Sequence, residues 1–223
     1  MKRSELFVPT SKENEAKFPS KSLKLALRSG LLYQAGSGTY SYTPTGFRLL
    51  LNIIELVREE MNKAEAQEIL LPGLQQKELW EETGRWELYG KLMFKMKGTE
   101  DKEYCMAPTA EEAVVDLVRN SISSYKQLPL ILFQISNKFR NETVRQGLVR
   151  TKEFIMKDAY SFNINEEDLD ESYKSMRLAY EKLFDRLELE YVIKFADNGE
   201  MCGSGSEEFL AISSQKYKQK IVP

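Results

Sequence analysis

The sequence predicts an α+β domain built on a largely antiparallel sheet flanked by helices, and three observations carry the prediction. Segments with the two-residue alternation of strands are interspersed with segments that repeat at the 3.6-residue period of helices. Two strand-like stretches, 128–142 and 148–162, are joined by the short polar loop "TVRQG", which predicts an antiparallel hairpin. A chain of 223 residues, 42% of them hydrophobic, is long enough to bury a sizeable core as one domain over 1–223.

The elements follow in order. "SLKLALRSGLLYQAG" reads as a short helix ending near Gly30, and "GTYSYTPTG" as an extended piece with Tyr40 and Tyr42 on one side. Phe47, Leu50, Leu51, Ile54, Val57 and Met61 recur at steps of three and four, the inward face of an amphipathic helix started near Thr45. "QEILLPGL" is a brief buried strand broken at Pro72, "KELWEETGRWELYG" a polar-aromatic helical segment, and "YCMAP" a short strand that leads into a helix beginning "TAEEAV". Thr109 and Glu112 there have the spacing of a capping box, which leaves Glu111 without a capping duty. In the hairpin, alternation puts Phe133, Ile135, Asn137 and Phe139 on one face and Gln134, Ser136, Lys138, Arg140 and Glu142 on the other. Arg150, Lys152, Phe154, Met156 and Asp158 group together by the same rule. A long helix marked by Leu169, Tyr173, Met176, Tyr180, Leu183 and Leu187 opens at Asn165, with acidic residues in its first turn where the dipole favours them. "YVIKFA", the small-residue turn "GEMCGSGSEEF" and the strand "LAIS" complete the chain's readable elements.

Composition excludes several chemistries. The chain contains no histidine, so Ser-His-Asp triads, histidine metal sites and imidazole acid–base steps are ruled out. A net charge of −2 provides no bulk field for a polyanion. Cys105 and Cys202 are far apart and fit neither a metal-ligand spacing nor a disulfide framework, so both read as packing residues and no protein metal site is expected. The N-terminal stretch lacks the apolar core of a signal peptide, and no apolar run approaches the ~18 residues of a membrane span. A soluble, cytoplasmic protein with no membrane partner is the expectation.

The hairpin carries the chemistry. Arg140, Glu142, Arg150 and Lys152 beside Phe154 have the parts to bind an anion that carries a flat ring: guanidinium forks for phosphate, a carboxylate for an exocyclic amine, and a ring for stacking. ATP fits that description. The plainer reading of the same residues is an exposed hairpin with cross-strand ion pairs worth less than ~1 kcal/mol each.

Phe139-Arg140-x-Glu142, a loop, and Arg150-x-x-x-Phe154-x-x-x-Asp158 resemble motif 2 of the class II aminoacyl-tRNA synthetases. "SYKQLP", "EFIMKDAYSF", "EEMNKAEAQEILLP" and "LWEETGRWELYG" are similar to the bacterial-type prolyl-tRNA synthetases, and Pro72 stands where motif 1 of that class forms a dimer interface. The resemblance covers nearly all of the chain, fading after about Ser214, and implies the N-terminal part of a class II-like catalytic domain. It implies ATP as substrate with Mg²⁺, L-proline and tRNA(Pro) as partners, and a homodimer formed near Pro72. Carried onto this sequence, the resemblance makes Arg140 the catalytic residue, bridging the α-phosphate and the amino-acid carboxylate. Glu142, Arg150, Thr151 and Phe154 complete ATP binding, and Thr109, Glu111, Arg140, Ser206 and Glu207 hold proline.

This chain departs from that family at several points. Ala110 and Glu207 stand where histidine is common, Cys202 replaces a glycine, and the motif 2 loop is one residue short. Motif 3, the editing insertion and the anticodon-binding domain have no counterpart in the sequence. Three readings follow: a fragment of a proline–tRNA ligase, which activates proline and transfers it to tRNA(Pro) in translation; a truncated, non-ligating paralogue that binds proline and ATP or serves as a regulatory interaction module; or an editing or deacylase relative, which the match to the synthetase site rather than to the editing insertion argues against.

Overall fold

The computed structural model describes residues 2–11, 20–145, 147–196 and 205–212. Helix α1 (Lys21–Arg28) is capped by Ser20, whose hydroxyl accepts from the Leu23 amide. A hairpin of β1 (Leu32–Gly36) and β2 (Thr39–Tyr42) follows. Helix α2 (Pro44–Lys63) is capped by Thr43, two residues before the expected start near Thr45, with Pro44 as its first residue. Gly46 has no freedom to be anything larger there, because a Cβ would stand 2.0 Å from the Leu31 carbonyl oxygen. The apolar stripe of α2 is buried only in its C-terminal half. Val57 and Met61 meet Phe133 and Ala179, whereas Phe47 and Leu51 are exposed because the covering elements do not meet them.

β3 is only Gln67–Glu68 and pairs in parallel with the later hairpin, so the expected buried strand reduces to two exposed residues followed by the buried Leu71. The hydrogen bond from the Ile69 amide to the Phe133 carbonyl (2.8 Å) continues that pairing. β4 (Leu74–Gln76), helices α3 (Lys77–Glu81) and α4 (Arg85–Leu88), β5 (Phe94–Lys97) and β6 (Glu103–Met106) then form one compact unit. Its strands run antiparallel in the order β4-β6-β5. Trp80, Trp86, Tyr89, Met93 and Cys105 form its core. Trp80 is fully enclosed and satisfies its indole N–H with Gln75 Oε1 at 2.8 Å, as a buried polar handle requires.

Helix α5 (Glu111–Ser121) leads into the expected hairpin, β7 (Leu130–Phe139) and β8 (Glu153–Phe162), in unbroken register from Leu130↔Phe162 to Phe139↔Glu153. Helix α6 (Glu166–Arg186) is capped by Asn165, which accepts from the Asp168 amide at 2.8 Å. It packs beside α2 and is followed by the antiparallel pair β9 (Tyr191–Ala196) and β10 (Ser206–Ala211). β10 begins four residues before the expected strand, inside the small-residue turn. Among the described residues the strands are distributed over four sheets, and only β3–β7 is parallel. The helices and antiparallel-dominated sheets agree with the expected class, while the single sheet resolves into separate pieces. Among the described residues no helix is long and apolar enough to cross a membrane.

Candidate active site

Backbone hydrogen bonds bring two distant segments together. The Phe139 amide donates to the Ala107 carbonyl at 3.0 Å, and the Ala107 amide donates to the Gly73 carbonyl at 2.9 Å. The end of β6 therefore lies against the end of β7, and the "APTAEE" turn opens beside Arg140.

Arg140 joins the two faces of this site. Its amide donates to the Lys152 carbonyl at 2.9 Å, extending the hairpin pairing past the end of β7. Its Nε donates to the Pro108 carbonyl at 3.2 Å, and its guanidinium carbon lies 5.5 Å from the centroid of the Phe154 ring. Where the chain leaves the hairpin, Arg150 Nε pairs with Glu142 Oε2 at 3.1 Å. Thr151 is buried, and its hydroxyl donates to the Glu153 carbonyl at 2.8 Å, which holds the backbone that enters β8.

The turn is built differently from a capping box. Ala110, not Thr109, is the residue that caps α5, and no side chain caps that helix. Thr109 stands one residue too early, and its hydroxyl instead donates to Glu111 Oε2 at 2.5 Å. Glu112 turns away: its Oε1 accepts from Arg85 Nη1 at 2.9 Å and from the Thr83 hydroxyl at 3.1 Å. Burial pushes the Glu112 carboxyl above the usual range, against the pull of Arg85 and Thr83.

Below the turn lies a buried polar network that the sequence pattern alone does not assemble. Lys138, fully enclosed, donates to Asp158 Oδ1 at 2.9 Å and to the Ser136 hydroxyl at 2.6 Å. Asp158 Oδ2 accepts from Gln134 Nε2 at 2.8 Å and from the Tyr160 hydroxyl at 2.6 Å, while Gln134 Oε1 accepts from the Leu71 amide at 3.2 Å. A buried charge is tolerable only when paired and hydrogen-bonded in this way. Burial, the nearby Glu111 charge and the hydrogen bond to Asp158 together raise the Tyr160 phenol well above its usual range. Tyr160, Lys138 and Arg85 are the site neighbours that sequence reasoning missed. The signal was present for the first two, since Lys138 alternates with Arg140 and Tyr160 with Asp158.

The structure thus brings together Thr109, Glu111, Arg140, Glu142, Arg150, Thr151 and Phe154. It does not bring Ser206 and Glu207 to them: Ser206 starts β10 opposite Ala196, and Glu207 pairs with Arg177 Nε at 3.2 Å and accepts from the Tyr173 hydroxyl at 3.4 Å, both on α6. Cys202, and with it the turn that precedes Ser206, lies outside the described residues.

The class II tRNA synthetase core-domain family (G, H, P, S and T) matches residues 94–222, which include the turn and the whole hairpin. The chain belongs to this family. Within it, the chain is 52% identical over 215 residues to the proline–tRNA ligase of Caldicellulosiruptor saccharolyticus, covering 96% of this chain and 38% of that protein. The corresponding ligase of Legionella pneumophila is 47% identical over 214 residues (96% and 38%), and that of Nitratidesulfovibrio vulgaris 46% over 214 residues (96% and 37%). The chain thus spans less than two fifths of the length of the relatives it matches.

Proposed function

We propose that this chain provides the proline- and ATP-binding part of a proline–tRNA ligase, which activates L-proline to prolyl-adenylate and transfers it to tRNA(Pro). The observation that supports the reading most directly is the position of Arg140, held by the Pro108 carbonyl on the amino-acid side and lying over Phe154 on the nucleotide side. One guanidinium there can contact the proline carboxylate and the α-phosphate of ATP at once. In the reaction a carboxylate oxygen of proline attacks the α-phosphorus, a P–O bond forms, and pyrophosphate leaves with the electron pair of the broken bond. Arg140 neutralises charge on the phosphoryl oxygens as they pass through the transition state, and no protein base is required. Phe154 stacks under adenine, Glu142 exchanges its Arg150 partner for the adenine amine, and Arg150 and Thr151 serve the phosphate end. A hydroxyl of the tRNA's terminal ribose then attacks the carbonyl of the adenylate and displaces AMP.

Thr109 and Glu111 bind the proline nitrogen. A secondary ammonium presents two N–H donors, and a hydroxyl oxygen and a carboxylate oxygen can accept them. Ser206 and Glu207, held on β10 beside α6, join this pocket only if β10 is repositioned. Among the described residues no three His, Cys, Asp or Glu side chains cluster as a metal would need. Mg²⁺ fits the site as part of the nucleotide substrate, held mainly by phosphate oxygens and water. The protein is proposed to act in the cytoplasm as a homodimer joined near Pro72.

Proline-dependent exchange of labelled pyrophosphate into ATP by the 223-residue chain tests the proposal. Exchange would support activation of proline by this chain alone. Proline binding without exchange would keep the binding role and remove catalysis by this chain alone, and the absence of proline binding would sink the proposal.

A further inference from the structure

Glu111 is approached from two sides, and both contacts fall on the same oxygen. Oε2 accepts from the Thr109 hydroxyl at 2.5 Å and faces Arg85 Nη1 at 3.5 Å. Arg85 is itself immobilised. Its Nη1 donates to Glu112 at 2.9 Å and its Nη2 to the Tyr89 hydroxyl at 2.8 Å, while its guanidinium lies 5.4 Å from the Trp80 ring and 5.0 Å from the Tyr89 ring. Its side chain is only 14% exposed, and that of Glu112 1%. Gly84, at φ +70, allows the sharp turn that starts α4 with Arg85 directed at α5.

We infer that Arg85 is a positioning residue that acts through Glu111 and sets the affinity of this site for a secondary ammonium group. The inference rests on the proposed proline site. With Oε2 occupied, Oε1 is the oxygen that meets an incoming N–H. Because the Thr109 hydroxyl spends its proton on Glu111, its oxygen is left as an acceptor for the second N–H. The nitrogen end of the pocket then offers two acceptors, which match a group with two N–H bonds and none to accept with, while Arg140 supplies donors at the carboxylate end. Arg85 shares one guanidinium between two adjacent carboxylates, so the site keeps the net negative charge that suits an ammonium while neither carboxylate is left bare.

Calorimetric titration of the 223-residue chain with L-proline and, separately, with ATP tests this. Arg85→Gln is expected to weaken proline binding about tenfold or more while leaving ATP affinity within about twofold, since a charge-assisted contact is lost on one side of the site only. Arg85→Lys should recover part of the loss, because it restores the charge but cannot reach Tyr89 and both carboxylates together. A purely structural arginine would weaken both ligands alike, and that result, or unchanged proline affinity in folded Arg85→Gln, overturns the assignment. If Arg85→Gln does not fold, Tyr89→Phe removes only the hydroxyl that anchors Nη2. It should weaken proline binding about threefold with ATP unchanged, and wild-type affinity there overturns the assignment. Glu111→Gln is the control: if it binds proline as the wild type does, the fault lies with the proposed proline site and not with Arg85.

Discussion

Arg140 and Glu111 occupy one pocket but touch different things, and their substitutions should separate. Arg140 reaches both Pro108 on the amino-acid side and Phe154 on the nucleotide side, so Arg140→Ala should abolish measurable binding of ATP and of proline. Glu111 contacts Thr109 and Arg85 only on the amino-acid side, so Glu111→Gln should weaken proline by about 1.5–3 kcal/mol and leave ATP alone. Equal loss of ATP by both variants, measured by calorimetry, would end that division of roles. Cys105 makes a contrasting case. It is wholly buried in the tryptophan core, and burial pushes its thiol up to about 12. The thiol should stay protonated and unreactive at neutral pH. Peptide mapping after brief exposure to iodoacetamide should find Cys105 alkylated only in the denatured chain, and rapid alkylation of the native chain would contradict the packing.

At the scale of elements, one buried carboxylate ties α2 to α6, at a joint that also holds the apolar cluster of Val57, Met61 and Ala179 and the ion pair of Arg186 with Glu59. Glu60 accepts from Lys63 at 2.7 Å and from Arg186 across the joint. The Lys63 hydrogen bond, the largest influence, together with Arg186 outweighs burial and holds the Glu60 carboxyl below its usual range. A carboxyl lowered on folding contributes stability that is complete above the unfolded carboxylate range and is lost as pH falls through the folded value. Glu60→Gln should therefore cost about 1–2 kcal/mol at neutral pH, and the gap from wild type should close in acid. Urea titrations across that range check it; a gap that widens in acid would reverse the sign. The elements on either side of this joint were legible in the sequence, because α2 and α6 carry long periodic stripes and α6 opens on the cap at Asn165, while the α2 cap is Thr43 rather than the expected Thr45. β4 and β5 were not legible. Neither carries a local strand signal of its own, and they exist because β6 lies between them and pairs with both. The pairing of the hairpin was readable because its alternation fixes it, but Arg140, Glu142, Arg150 and Thr151 lie beyond the strand ends, where alternation no longer places a side chain. The capping box was misread by one residue, since the spacing of Thr109 and Glu112 cannot reveal that Glu112 is claimed by Arg85 on another element. No local pattern records such a distant partner.

At the scale of the whole molecule, the segment proposed to join two subunits leaves apolar surface in water. Leu70 is 80% exposed, Leu74 53% and Leu117 41%, and with Pro72 they line a surface groove of about 490 Å³. Fully burying an exposed leucine is worth about 1.5–3 kcal/mol, so covering what remains exposed of these three on each copy favours a symmetric pairing. Sedimentation of the chain at micromolar concentration should show a dimer, and Leu70→Asp should convert it to a monomer with an unchanged circular dichroism spectrum. A wild-type monomer, or a Leu70→Asp dimer, would remove this segment from consideration as the joint. The segment is also tied to the pocket, because the Leu71 amide next to it donates to Gln134, and Gln134 to the same Asp158 oxygen that holds Tyr160. Ordering Leu70 to Pro72 against a second chain would therefore fix one end of the network beneath Thr109 and Glu111. On that argument the monomeric Leu70→Asp variant should also bind proline several-fold more weakly while keeping its ATP affinity. Equal proline affinity in monomer and dimer would show that the joint and the pocket are independent.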